Sequence, residues 1–195
     1  MNLEKRPVTL KTGKEQLSAT GKTLLDFWRW NGSDLASNAT RGVLAEFIVA
    51  SALGIDVTIP RTEWAAWDLT SPEGIRIEVK SAAYLQSWTQ KELSKIIFSI
   101  RPARAWNADT GIVDKEPQRS ADVYVFCLLK HQEKETLNPL DIEQWEFYVL
   151  STAEINSYTR SKTTITLPSL QRLAEKSVQY EELHSTILEK ANRFT

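Results

Sequence analysis

With 195 residues, 42% of them hydrophobic and 25% charged, the chain has the length of one domain and the composition of an ordinary globular protein, which excludes wholesale disorder, a collagen-like repeat and a coiled-coil rod. Its 24 Lys and Arg against 25 Asp and Glu leave a net charge of -1, so bulk charge alone does not make it a polyanion binder. A single cysteine, Cys127, excludes an internal disulfide and a multi-thiolate zinc site, and with two histidines, His131 and His184, any metal must be held mainly by carboxylates.

No stretch approaches the ~20 apolar residues of a membrane helix. Met1 to Leu10 carries Glu4, Lys5 and Arg6 with no apolar run behind them, so a soluble, cytoplasmic protein without a membrane partner is expected. Charge is spread unevenly: six cations against three anions from Met1 to Trp30, six against four from Gln86 to Ser120, and two against six from Lys130 to Ser157. A phosphate-binding face could draw on the first two stretches, with the acidic one pointing away; solvated faces of mixed sign are the alternative.

In chain order, the apolar spacing predicts a helix from about Lys14 to Trp30, burying Leu17, Leu24, Leu25, Phe27 and Trp28 and weakened by Gly21. A second helix, N-capped near Asn38 or Thr40 and stopped at Gly54, is apolar nearly all round and so expected to be buried. Strands follow at Trp67 to Thr70 and Ile75 to Ala83, joined by the turn residues Ser71-Pro72-Glu73-Gly74. Ile96 to Ile100 reads as a further strand and Arg101 to Ser120 as a long polar loop, whose length suggests mobility or binding. Val123 to Leu129 and Trp145 to Leu150 have the continuous apolar composition of central strands, and Pro168 to Asn192 has room for one or two closing helices. These elements make a single α/β domain over 1-195, with a core at about 38-150 and helical additions at 1-37 and 151-195.

The chemistry concentrates in the hairpin. Side chains alternate along a strand, so Glu78 and Lys80 share one face while Ile77 and Val79 take the other. If Thr70 pairs with Arg76, Asp68 lies opposite Glu78 with Cβ atoms about 5 Å apart. Two carboxylates that close repel unless a cation sits between them, and hard oxygen donors suit Mg²⁺ or Mn²⁺. Glu46, an acid in an otherwise apolar helix, also needs a partner or a metal to offset its burial. The bland alternative is a surface hairpin with a Glu-Lys salt bridge and Asp68 as a strand-end cap.

From Arg41 to Leu150 the chain resembles the PD-(D/E)XK nuclease superfamily. Trp67-Asp68 stands where that family has Pro-Asp, Glu78-Val79-Lys80 matches its Glu-x-Lys, and Arg41-Gly42-x3-Glu46 looks like the acidic first helix of its resolvase-like members. The resemblance implies a restriction-endonuclease-like core, a central mixed sheet flanked by helices. It implies that Asp68, Glu78 and the carbonyl of Val79 hold Mg²⁺ or Mn²⁺, that Lys80 orients or activates the attacking water, and that Glu46 supports the site.

For substrate binding, Ser81, Gln86, Arg101 and Arg104 are the candidates, with Arg119 beside the loop and Trp88 and Trp106 available for stacking or for core and hinge roles. A strand-end hydroxyl and an exposed amide are the plainer readings of Ser81 and Gln86. His131 and His184 lack partners at catalytic spacing, and Cys127 reads as a buried strand residue. The function expected is a metal-dependent endonuclease acting on DNA in defence, mobile-element biology or repair. A junction resolvase would need a homodimer, and a catalytically silent nucleic-acid-binding or protein-interaction module on the same fold is the alternative.

Overall fold

The computed structural model describes residues 8–61, 65–106 and 111–192. Lys5 and Arg6 of the basic N-terminal stretch and residues 107–110 of the polar loop lie outside them. The helix expected from Lys14 starts instead as a hairpin: β1 (Gln16–Leu17) pairs antiparallel with β2 (Lys22–Thr23) around Ala19 and Gly21, both at positive φ. Gly21 adopts that conformation without steric cost, so it ends a helix rather than merely weakening one. Helix α1 (Leu24–Gly32) follows, with Thr23 and Asp26 forming a capping box. It buries no residue: Leu17, Leu25, Phe27 and Trp28 are exposed and Leu24 is half-buried, against the expected core positions.

Helix α2 (Asn38–Ala52) is capped by Ser37, earlier than either expected residue, and Gly54 at φ 66° follows its C-cap Leu53. One side is buried through Ala45, Ile48, Val49 and Ala50, but Val43 and Phe47 stay exposed, so the helix is not enclosed all round. Strands β3 (Leu69–Thr70) and β4 (Arg76–Ala83) form the expected hairpin, with Thr70 opposite Arg76 and Leu69 opposite Ile77. Then come β5 (Ile97–Ser99), β6 (Val123–Leu129), β7 (Trp145–Ser151), α3 (Thr152–Ser157), β8 (Thr164–Thr166), α4 (Leu167–Ala174) and α5 (Leu183–Asn192). The polar stretch after β5 is not simply a loop: bridges Ala103↔Gln118 and Trp106↔Val113 fold it back on itself.

The main sheet is mixed, in the order β3-β4-β6-β7, with β4 parallel to β6 and β7 antiparallel to β6. Alternation sends Ile77, Val79, Val123, Val125, Cys127 and Leu129 to one face, against α2 and Leu183 and Ile187 of α5. It sends Tyr124, Phe126 and Leu128 to the other, against Phe98 of β5, Ile165 of β8, Ile155 of α3 and Leu170 of α4. Both faces being covered explains why β6 is apolar at every position. This is the α/β architecture expected, a mixed sheet flanked by helices with further helices at both ends. The C-terminal elements are integral to it, because they supply much of the cover on both faces, and β5 belongs to a separate two-stranded sheet with β8.

Candidate active site

Because β3 is two residues long, β4 has a strand partner on its outer side, among the described residues, only at its start. Asp68, just before β3, donates its backbone N–H to Ile77 O at 3.0 Å, and its carboxylate Oδ2 accepts the Val79 N–H at 2.7 Å. An extended residue directs its N–H and C=O to the same edge, so the Val79 carbonyl faces the same opening. Glu78 and Lys80 project from the sheet face away from α2, beside Tyr124 and Phe126 in register on β6. Lys80 Nζ donates to Glu78 Oε1 in an ion pair.

Burial pushes the Glu78 carboxyl above its ordinary value; Lys80 opposes that rise and the negative charge of Asp68 adds to it. The two acids thus feel one another, and they open into one cavity of about 370 Å³ whose lining includes Arg101, Arg104, Ser120 and Tyr124. Burial first, and then the charge of Glu78, pushes the Tyr124 hydroxyl up to about 12, so it keeps its proton. A cavity holding two carboxylates with arginines and a hydroxyl donor suits an anion bound beside a cation.

Glu46 reaches the same edge from α2. Its Oε2 pairs with Arg61 at 2.9 Å, burial raises its pKa, and the charge of Asp68 raises it further. Glu46, Phe47, Arg61, Trp67 and Asp68 line a larger, mainly apolar groove of about 620 Å³, so Asp68 stands between two cavities. Arg61 carries no motif to single it out in the sequence, since it lies in an irregular segment that only the fold carries to Glu46.

Among the other candidates, Ser81 is half-buried in β4 and Gln86 is buried rather than solvent-exposed. The Arg119 guanidinium is held by the protein, donating to Ile100 O, Asn156 Oδ1 and Lys162 O, which leaves two of its five N–H groups uncommitted by these bonds. Trp88 and Trp106 are exposed, which removes the core reading for both. His131 bonds Thr136, His184 bonds Glu73, and Cys127 is fully buried with its thiol pKa pushed up by burial.

Among the described residues no three His, Cys, Asp or Glu side chains come together as a metal-holding group. What the edge of β4 offers is two carboxylates and a backbone carbonyl. The family model described as bacteriophage T4 endonuclease IV matches residues 5–169. The chain belongs to the bacteriophage T4 endonuclease IV family. That endonuclease IV match includes Glu46, Asp68, Glu78, Lys80, Arg101 and Arg104 and ends inside α4, so α5 lies beyond it. No curated protein matches the chain.

Proposed function

We propose that the protein is a divalent-metal-dependent DNA endonuclease of the PD-(D/E)XK type. The observation that carries this reading is the meeting of Asp68, Glu78 and Lys80 at the open edge of β4, in and beside a cavity that Arg101 and Arg104 also line. Membership of a family described by a phage endonuclease supports it.

The donor set fits a hard cation: two carboxylates, with the charge of Asp68 adding to the rise in the Glu78 pKa, and the Val79 carbonyl on the same edge. Asp68, Glu78 and Val79 would hold Mg²⁺ or Mn²⁺, and the bound ion supplies charge neutralisation at phosphate and a more acidic water. The remaining roles belong to side chains. Lys80, held by Glu78, orients a water and offsets charge growing on the phosphate. Arg101 and Arg104 position the substrate through its phosphates, and Glu46 with Arg61 fixes the surroundings of Asp68.

The ion pair between Glu78 and Lys80 also suits a second reading, a catalytically silent binding module that keeps the pair for structure. Incubation of purified protein with plasmid and branched DNAs separates the two. Cleavage with Mg²⁺ or Mn²⁺, abolished by chelator and in Asp68→Asn, is the expected result, accompanied by a metal-induced rise in melting temperature that Asp68→Asn loses. DNA binding without cleavage of any substrate, and no melting shift with metal, would leave the silent module.

A further inference from the structure

Beyond Lys80, the same edge of β4 borders another cavity of about 370 Å³, lined by Arg41, Ser81, Gln86, Trp88, Ser94 and Lys95 among others. Its chemistry is the reverse of the first: among the described residues that line it there is no Asp or Glu. Arg41 is 4% exposed, and its terminal nitrogens donate to neutral oxygens, Ala36 O at 3.0 Å and Asn38 Oδ1 at 2.6 Å. Its Nε–H is buried without a partner. Burial pushes the Arg41 pKa down, yet a guanidinium does not give up its proton, so a buried cation remains with no anion paired to it among the described residues. It lies in the first turn of the 15-residue helix α2, where the helix dipole adds further positive potential.

Gln86, 8% exposed, faces the same space with an unpartnered Oε1. Its orientation is fixed, because Nε2 donates to Ala83 O at 2.9 Å and Ser94 Oγ at 3.1 Å, and a flipped amide would set two oxygens against each other at Ala83. The cavity is therefore lined by a buried cation and a buried amide, each with a polar atom that lacks a partner among the described residues. Lys95 is exposed at its rim.

We propose that this cavity is a second subsite of the nuclease, holding a nucleotide of the substrate strand next to the one that is cut. The nucleotide's phosphate accepts from Arg41 Nε and faces Lys95, while Gln86 Oε1 accepts from an N–H of the same nucleotide or from a water it carries. The placement rests on the nuclease reading and on two independent spacings. Ala83 lies three residues past Lys80, about 10 Å along a strand, and Arg41 lies five residues before Glu46, about 7.5 Å along a helix. Both place the subsite beside the scissile position on a single track.

The test measures binding of labelled single- and double-stranded oligodeoxynucleotides by the full chain in chelator, across a salt series. Lys95→Glu alters an exposed side chain and leaves the fold intact; Arg41→Gln also removes the contacts to Ala36 and Asn38, so its folding is checked by circular dichroism. Each variant is expected to weaken binding about tenfold and to reduce the salt slope by about one, with the loss in cleavage assays read in KM. Parent affinity and slope in Lys95→Glu, and in Arg41→Gln if it folds, would overturn the subsite. So would a melting-temperature rise with inorganic phosphate that Arg41→Gln loses while DNA binding stays unaffected, since the cavity would then take a small phosphate ligand instead of a strand. Metal-dependent cleavage with unchanged binding in both variants keeps the nuclease and removes the subsite; binding that depends on Arg41 and Lys95 without any cleavage does the opposite.

Discussion

Strands β4 and β6 lie side by side in parallel register from Ile77↔Val123 to Ala83↔Leu129, yet their contents differ sharply. In β6 every residue is buried, with a hydrogen-bonded strand on either side and a covered face above and below. In β4 apolar residues alternate with Glu78 and Lys80, and its outer side is unpaired past the short β3. Apart from Tyr124, whose hydroxyl meets the cavity, a polar group on β6 would be enclosed, whereas the charges on β4 are half-exposed and can meet a ligand. Stability and chemistry are thereby assigned to neighbouring strands, and the parallel ladder transmits the rigidity of one to the geometry of the other.

Substitutions in the two strands should separate these roles. Phe126, fully buried on β6, packs edge-to-face on Phe98 with ring centroids 5.2 Å apart. Phe126→Ala is expected to cost about 3–5 kcal/mol, read as a lowered denaturant midpoint. Lys80→Ala should leave that midpoint near the parent's while slowing cleavage at least ~100-fold, about 2.7 kcal/mol of transition-state stabilisation, with DNA affinity little changed. Equal unfolding by both variants would abolish the division between the strands. Replacing Arg101 and Arg104 together with alanine should weaken DNA binding and lower its salt slope by up to about two, with the melting temperature unchanged.

The smallest effect concerns the clamp that sets the two strands in register. Asp122, just before β6, accepts from the Arg76 backbone N–H at 2.9 Å and from its guanidinium Nε at 3.0 Å. Those Arg76 hydrogen bonds hold the Asp122 carboxyl below the usual carboxylate range. A depressed carboxyl contributes stability above the unfolded-chain value near ~4 and loses it as pH falls through the folded value. The pair is partly exposed, so Asp122→Asn should cost about 1 kcal/mol or less at neutral pH, a shift of about 2–4 °C that disappears in strong acid. A shift that persisted in acid would assign the effect to packing.

Much of this division is written in the local pattern. The run Val123 to Leu129 has no charged residue and reads as a central strand, and Ser71-Pro72-Glu73-Gly74 fixes a register, Thr70 opposite Arg76 and Leu69 opposite Ile77, that brings Asp68 to the start of β4, where its N–H meets Ile77 O. What stayed hidden depends on distant contacts. Nothing near Arg61 points to Glu46, and nothing near Gln86 says that its amide will be enclosed by Ala83 and Ser94. At the N-terminus the apolar spacing of Leu17, Leu24 and Trp28 suits a buried helical face, whereas the chain turns at positive φ at Ala19 and Gly21, and α1 buries no residue.

The shortness of β3 also bears on whether the open edge of the sheet can take up another strand. A strand edge with free backbone donors is a template for another chain to extend the sheet. Here the first such donor past the hairpin, the Val79 N–H, is taken by the Asp68 carboxylate, and Glu78 and Lys80 add charge beside it. The acid at the centre of the proposed chemistry is thus also a guard against strand addition, and Asp68→Ala should lose solubility as well as activity.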